Sequence, residues 1–114
     1  MPNISQRETV PYSVSDMFTL IDNVKEYQSF LPWCDKSDEL YRDIDEVKAT
    51  LTIGAAGIQK SFSTHNLLQT NKMIEIRLLD GPFSHLEGFW RFDEQDGGGG
   101  KVSFDLEYEF SNSL

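Results

Sequence analysis

The sequence predicts an α+β domain, one long antiparallel sheet preceded by a short pair of helices. Three observations carry that reading. Val102, Phe104, Leu106, Tyr108 and Phe110 alternate with Ser103, Asp105, Glu107 and Glu109, the period-2 pattern of a strand with one buried face. Similar alternation fills most of the chain after residue 46, in segments joined by short connections. Short connections favour antiparallel pairing, because a parallel crossover takes about a dozen residues or more. Helical spacing occurs only near the start.

In chain order, Ile4 to Val10 reads as a first strand with poor alternation. Ser13 can cap a helix, with Asp16 three positions on at the positive end of the helix dipole. Met17, Leu20, Ile21 and Val24 follow at the i, i+3, i+4, i+7 spacing of a buried stripe. Asn23 ends this helix, and a second short turn from Tyr27 to Phe30 stops before Pro32. Val47, Ala49, Leu51 and Ile53 form the next strand face. Gly54 to Gly57 break the chain before a weaker strand around Ile58 to Phe62. Ile74, Ile76 and Leu78 define another strand, and Asp80-Gly81-Pro82-Phe83 is a tight turn. Leu86, Gly88, Trp90 and Phe92 share a face of the strand that follows. Gly97 to Gly100 form a hairpin loop into the last strand. The total after the helices is five or six strands.

At 114 residues the chain is long enough for one core, and residues 1–114 are read as a single domain. No apolar run approaches the ~20 residues of a membrane span, and the opening MPNISQRETV lacks the basic start and apolar centre of a signal peptide. A cytoplasmic location is expected. The net charge of -9, with ten cations spaced at least five positions apart, makes direct nucleic-acid binding a poor expectation. The same acidity opposes loose adhesion to an anionic bilayer.

Burying the five apolar side chains of the last strand is worth roughly 8–15 kcal/mol as an upper bound. That matches the whole net stability of a typical domain, ~5–15 kcal/mol. One short helix cannot cover a six-strand sheet. A further helix, a partner chain or a ligand must cover the rest of that face.

Five stretches carry a resemblance: VPYS (Val10 to Ser13), YQSFLPWCDKS (Tyr27 to Ser37), DGPF (Asp80 to Phe83), LEGFWRF (Leu86 to Phe92) and FDLEYEFSN (Phe104 to Asn112). Together, in this order, they resemble the coenzyme Q-binding START-like family, which includes bacterial ribosome-association toxins and mitochondrial coenzyme Q-binding proteins. The resemblance runs along the whole chain. It implies a helix-grip fold, an antiparallel sheet curled around a long C-terminal helix with a hydrophobic cavity between them. Family members carry that helix after a segment like Phe110 to Leu114, so the chain is expected to be C-terminally truncated relative to the family. The exposed apolar face that results predicts dimerisation or exchange of elements between copies.

The resemblance implies a non-catalytic carrier of a polyisoprenoid quinone, with ubiquinone or another prenyl lipid as bound ligand, no required cofactor, and transient membrane contact. As an alternative it implies a toxin that binds the large ribosomal subunit and blocks subunit association. A polyketide cyclase would need an acid/base pair inside the cavity, and alternation offers no clear one. The cavity set expected from these patterns is Tyr27, Phe30, Trp33, Leu51, Ile53, Phe62, Leu78, Phe83, Trp90, Phe104 and Tyr108. The same residues would serve as plain core, because ligand pockets are themselves largely apolar. Cys34, the lone cysteine, reads as a small core residue. His65 and His85 read as surface or loop residues without metal-ligand spacing, and no nucleophile elbow or phosphate loop is present.

Overall fold

The computed structural model describes residues 2–55 and 57–111. Residue 56 of the Gly54–Gly57 break and Asn112 of the last quoted stretch lie outside them. Seven strands form one antiparallel sheet: β1 (Asn3–Val10), β2 (Cys34–Asp43), β3 (Glu46–Ala55), β4 (Ile58–Gln69), β5 (Met73–Asp80), β6 (Phe83–Glu94) and β7 (Gly100–Phe110). Their order in the sheet is β1-β7-β6-β5-β4-β3-β2. Strands β2 to β7 are a simple meander. Strand β1 pairs with β7 at one edge and β2 closes the other. The helical segment between β1 and β2 therefore carries the chain across one face, here called the inner face. It comprises α1 (Val14–Asp22), a 3-10 turn (Val24–Glu26) and α2 (Tyr27–Phe30).

The N-terminus of α1 is capped as the sequence predicts, with the Asp16 amide donating to Ser13 Oγ at 3.1 Å. Met17, Ile21 and Val24 of the predicted stripe pack inward, but Leu20 does not, and Phe18 takes its place. Phe18 is buried at 6% exposure, whereas Leu20 is 48% exposed. Phe18 meets Phe92 edge to face at 5.4 Å, and Ile74 and Val102 complete the buried cluster, with Val14, Met17 and Ile21 packed around it. The helix is turned so that Val14, Met17, Phe18 and Ile21 face the sheet and Leu20 lies on its flank.

A second core lies under the 3-10 turn and α2: Val24, Cys34, Val47, Ala49 and Leu51, with Tyr27, Leu31, Phe62 and Leu68 around it. Polar contacts lock this half in place. Ser37 Oγ donates to the Lys25 carbonyl at 3.0 Å and accepts from the Gln28 amide at 3.1 Å. The Tyr27 hydroxyl donates to the Ile21 carbonyl. Burial, and then the Asp22 carboxylate nearby, push the Tyr27 phenol well above its ordinary pKa, so it stays a neutral donor. The Tyr27 to Ser37 stretch thus ties the helices to the sheet edge.

Strand β2 itself was not among the expected strands. Its inner-face positions, Ser37, Glu39 and Arg42, lie opposite Leu51, Ala49 and Val47, and register shifts interrupt it between Cys34 and Lys36 and between Glu39 and Tyr41. Polar residues and bulges erase the alternation that marks a strand. Arg42 turns this polarity to use, its guanidinium lying 2.9 Å from Asp22 on α1 and 2.8 Å from Glu39.

At the opposite edge, Asp105 on β7 accepts from Ser5 Oγ at 2.7 Å and pairs with Arg7 at 3.1 Å. The Ser5 hydrogen bond, aided by Arg7, holds the Asp105 carboxyl below its ordinary pKa. A carboxyl depressed in the folded state stabilises it above the unfolded value of about 4, and that contribution is lost as pH falls through the lower folded value. Amide exchange in β1 is therefore expected to quicken relative to β4 between pH 5 and pH 3, by an amount that Asp105→Asn abolishes.

Candidate functional site: an apolar cleft on the inner face

Nine residues of α1 span about 14 Å, whereas seven strands about 4.8 Å apart span about 29 Å. The helices cover the inner face over β2, β3 and one end of the remaining strands. The rest of that face is an open apolar surface. Strand register places Ile76, Gly88, Leu106 and Ile4 in one row across it, and Trp90 and Phe104 in the next, beside the buried Ile74.

Aromatic rings run along this surface. Phe62 meets Phe83 edge to face at 5.4 Å, Phe83 stacks on Phe110 at 4.8 Å, and Phe110 meets Tyr108 at 5.8 Å. Trp90 lies against Phe104 at 4.3 Å. Phe110 is 54% exposed and Ile4 39%, so the outer end of this surface is open to solvent. Part-exposed apolar rings gathered on one face are candidate contacts for a ligand or partner.

Two glycines make the geometry. Gly81 has φ +147°, and a Cβ there would sit 2.5 Å from Phe62 Cβ. The Asp80–Phe83 turn can therefore close onto Phe62 and bring Phe83 against it. At Gly88 a Cβ would meet the Asp105 carbonyl at 2.2 Å and Leu106 Cα at 2.9 Å, so neighbouring strands approach more closely than any side chain allows.

Of the eleven residues expected in the cavity, Leu51, Ile53, Phe62, Leu78, Phe83, Trp90, Phe104 and Tyr108 share the inner face of the sheet. Leu51 belongs to the core beneath the helices. Tyr27 packs against that same core, while Phe30 on α2 and Trp33 just beyond it are each 48% exposed. Ile76, Leu106 and Phe110 join the surface through the same alternation.

Two polar residues on this face carried no signal in the sequence reading. Thr64 and Asn66 follow Phe62 along β4, lying opposite Ala49 and Val47 on β3 and opposite Leu78 and Ile76 on β5. They are 5% and 8% exposed. Period-2 continuation from Phe62 to Leu68 would have placed them inside.

Cys34 is buried, its thiol directed at the Lys36 carbonyl at 3.4 Å, and burial pushes its pKa up. A thiol in that state is a poor nucleophile, as the core reading expects.

The histidines sit on strands rather than in loops. His65 Nε2 is 3.5 Å from Glu46, and His85 Nε2 is 3.7 Å from Glu107. The ligand atoms of His85, Glu87 and Glu107 lie within 4.8 Å of one another, close enough to hold a metal ion. Glu87 and Glu107 are direct cross-strand partners, a pairing that sequence spacing cannot reveal. This group lies on the outer face, across the sheet from the apolar cleft.

A protein-family model described as polyketide cyclase/dehydrase and lipid transport matches residues 10–114. The ribosome association toxin RatA of Escherichia coli K12 is 39% identical over 114 residues, covering 100% of this chain and 72% of that protein. The mitochondrial coenzyme Q-binding protein coq10 of Schizosaccharomyces pombe is 30% identical over 112 residues, covering 92% of this chain and 67% of that one. Among solved structures, a START superfamily protein from Mycobacterium smegmatis superimposes with a TM-score of 0.84 at 17% identity, over 98% of this chain and 79% of its own. That likeness fixes the fold as START-like, of the helix-grip class. No helix among the described residues is long and apolar enough to cross a membrane.

Proposed function

The chain belongs to the polyketide cyclase/dehydrase and lipid transport family, and from that premise we propose that it is a non-catalytic carrier of a polyisoprenoid quinone, ubiquinone in the first instance. The observation that carries this reading is the aromatic surface from Phe62 through Phe83 and Phe110 to Tyr108, open on the inner face. The binding force is hydrophobic, about 0.8 kcal/mol for each CH₂ removed from water. A prenyl tail lies along the rings, and the polar head sits toward the buried end of the cleft. The side chains that β4 contributes to that end, Thr64 and Asn66, hold a ligand by hydrogen bonds and have no general acid or base function. The 30% identity to a coenzyme Q-binding protein supports the quinone as cargo.

A second reading rests on the 39% identity to a ribosome association toxin. In that case the chain docks on the large ribosomal subunit. Its net charge of -9 directs the contact toward a basic ribosomal protein rather than ribosomal RNA.

Organic extraction of the protein purified from quinone-containing cells, followed by mass spectrometry, separates the two. A prenyl quinone at near one equivalent supports the carrier. An extract free of quinone, with the protein co-sedimenting with large subunits, moves the function to the ribosome.

A further inference from the structure

We propose that Asn66 anchors the ligand's head group and gives the cleft a preference for a head that donates a hydrogen bond, the reduced hydroquinone over the oxidised quinone. The inference deepens the carrier reading and rests on it. Asn66 is 8% exposed, and its Oδ1 is fully buried without a hydrogen-bond partner among the described residues. Its cross-strand neighbours on the inner face are Val47 and Ile76, neither of which can supply a donor. An amide oxygen buried among aliphatic side chains destabilises the free protein, and a leucine of similar size would not.

The position of Asn66 gives that penalty a use. Along β4, the next inner-face residue on one side is Leu68, which packs into both buried cores under the helices. On the other side come Thr64 and then Phe62, where the aromatic surface begins. Asn66 thus lies, with the equally buried Thr64, between Leu68 under the helices and Phe62 at the start of the aromatic surface. A ligand lying along Phe62, Phe83 and Phe110 would bring its head to Thr64 and Asn66. A hydroquinone hydroxyl can donate to Oδ1 and satisfy it. A quinone carbonyl only accepts: it can take a hydrogen bond from Asn66 Nδ2 but leaves Oδ1 unpaired, whereas a hydroxyl can serve both atoms.

Anaerobic calorimetric titration of the delipidated protein with decylubiquinol, decylubiquinone and pentadecane tests this. The quinol should bind about five-fold more tightly than the quinone, the size of one neutral hydrogen bond. In Asn66→Leu that preference should vanish, pentadecane binding should persist, and the ligand-free protein should melt at a higher temperature. The comparison in the unmodified protein decides the matter without any variant. Pentadecane binding together with equal affinities for quinol and quinone would overturn the anchor alone. If none of the three ligands binds the folded protein, the cleft reading falls and the anchor with it. A preference that survives intact in Asn66→Leu would also overturn the assignment.

Discussion

Phe18→Ala is expected to lower the stability of the protein by about 3–5 kcal/mol, the usual effect of emptying a buried aromatic site. Against a typical total of ~5–15 kcal/mol, that is enough to unfold much of the population at 37 °C. Phe18 is the one α1 residue counted as buried, and its ring fills the space above Phe92, Ile74 and Val102. Nine residues of helix cannot stand alone in water, so α1 holds its place through this contact and the Ser13 cap. Leu20→Ala is the control. At 48% exposure it should cost within about 0.5 kcal/mol of nothing. Urea denaturation of both variants checks the orientation of the helix. A large loss at Leu20 with a small one at Phe18 would mean that α1 presents its other flank to the sheet.

Phe83→Glu is expected to weaken binding of decylubiquinone by at least about a hundredfold while leaving the fold intact. The Phe83 ring lies between Phe62 and Phe110, so a carboxylate there stands in the path assigned to the ligand. Without ligand it reaches water at modest cost. A bound apolar molecule would strip that water away, and burying an unpaired charge costs several kcal/mol. Calorimetry gives the affinity, and circular dichroism verifies the fold. Undiminished binding to a folded Phe83→Glu would place the ligand elsewhere.

The difference between these sites and the rest of the chain also explains what the sequence could reveal. Strands β3, β5 and β7 were legible because one face of each is apolar and the period of 2 is uninterrupted, and β6 from Leu86 to Phe92, beyond the register shift between Phe83 and His85. Strand β2 was not, because Ser37, Glu39 and Arg42 occupy its inner face and answer to the helices rather than to a hydrophobic core. The helix boundaries followed from Ser13 and Asn23, but its rotation did not. Both Leu20 and Phe18 fit an apolar stripe, and the choice between them is made by the shape of the sheet beneath. The inner-face placement of Phe62, Trp90, Phe104 and Tyr108 could be named from alternation alone. Thr64 and Asn66 escaped because a polar residue in a strand reads by default as facing water. The His85, Glu87 and Glu107 group escaped because Glu107 reaches it only through the pairing of β6 with β7.

Binding of an apolar, quinone-bearing molecule to the inner face can be reported directly by Trp90. Trp90 lies on that face against Phe104, whereas Trp33, the other tryptophan, lies off it and is 48% exposed. In a Trp33→Phe background, Trp90 fluorescence should fall saturably as decylubiquinone is added, because a quinone bound within contact distance quenches indole emission. The same titration in Trp33→Phe/Phe83→Glu should show no saturable phase. Emission that stays constant, or that falls equally in both proteins, would contradict the assignment of this face as the binding site.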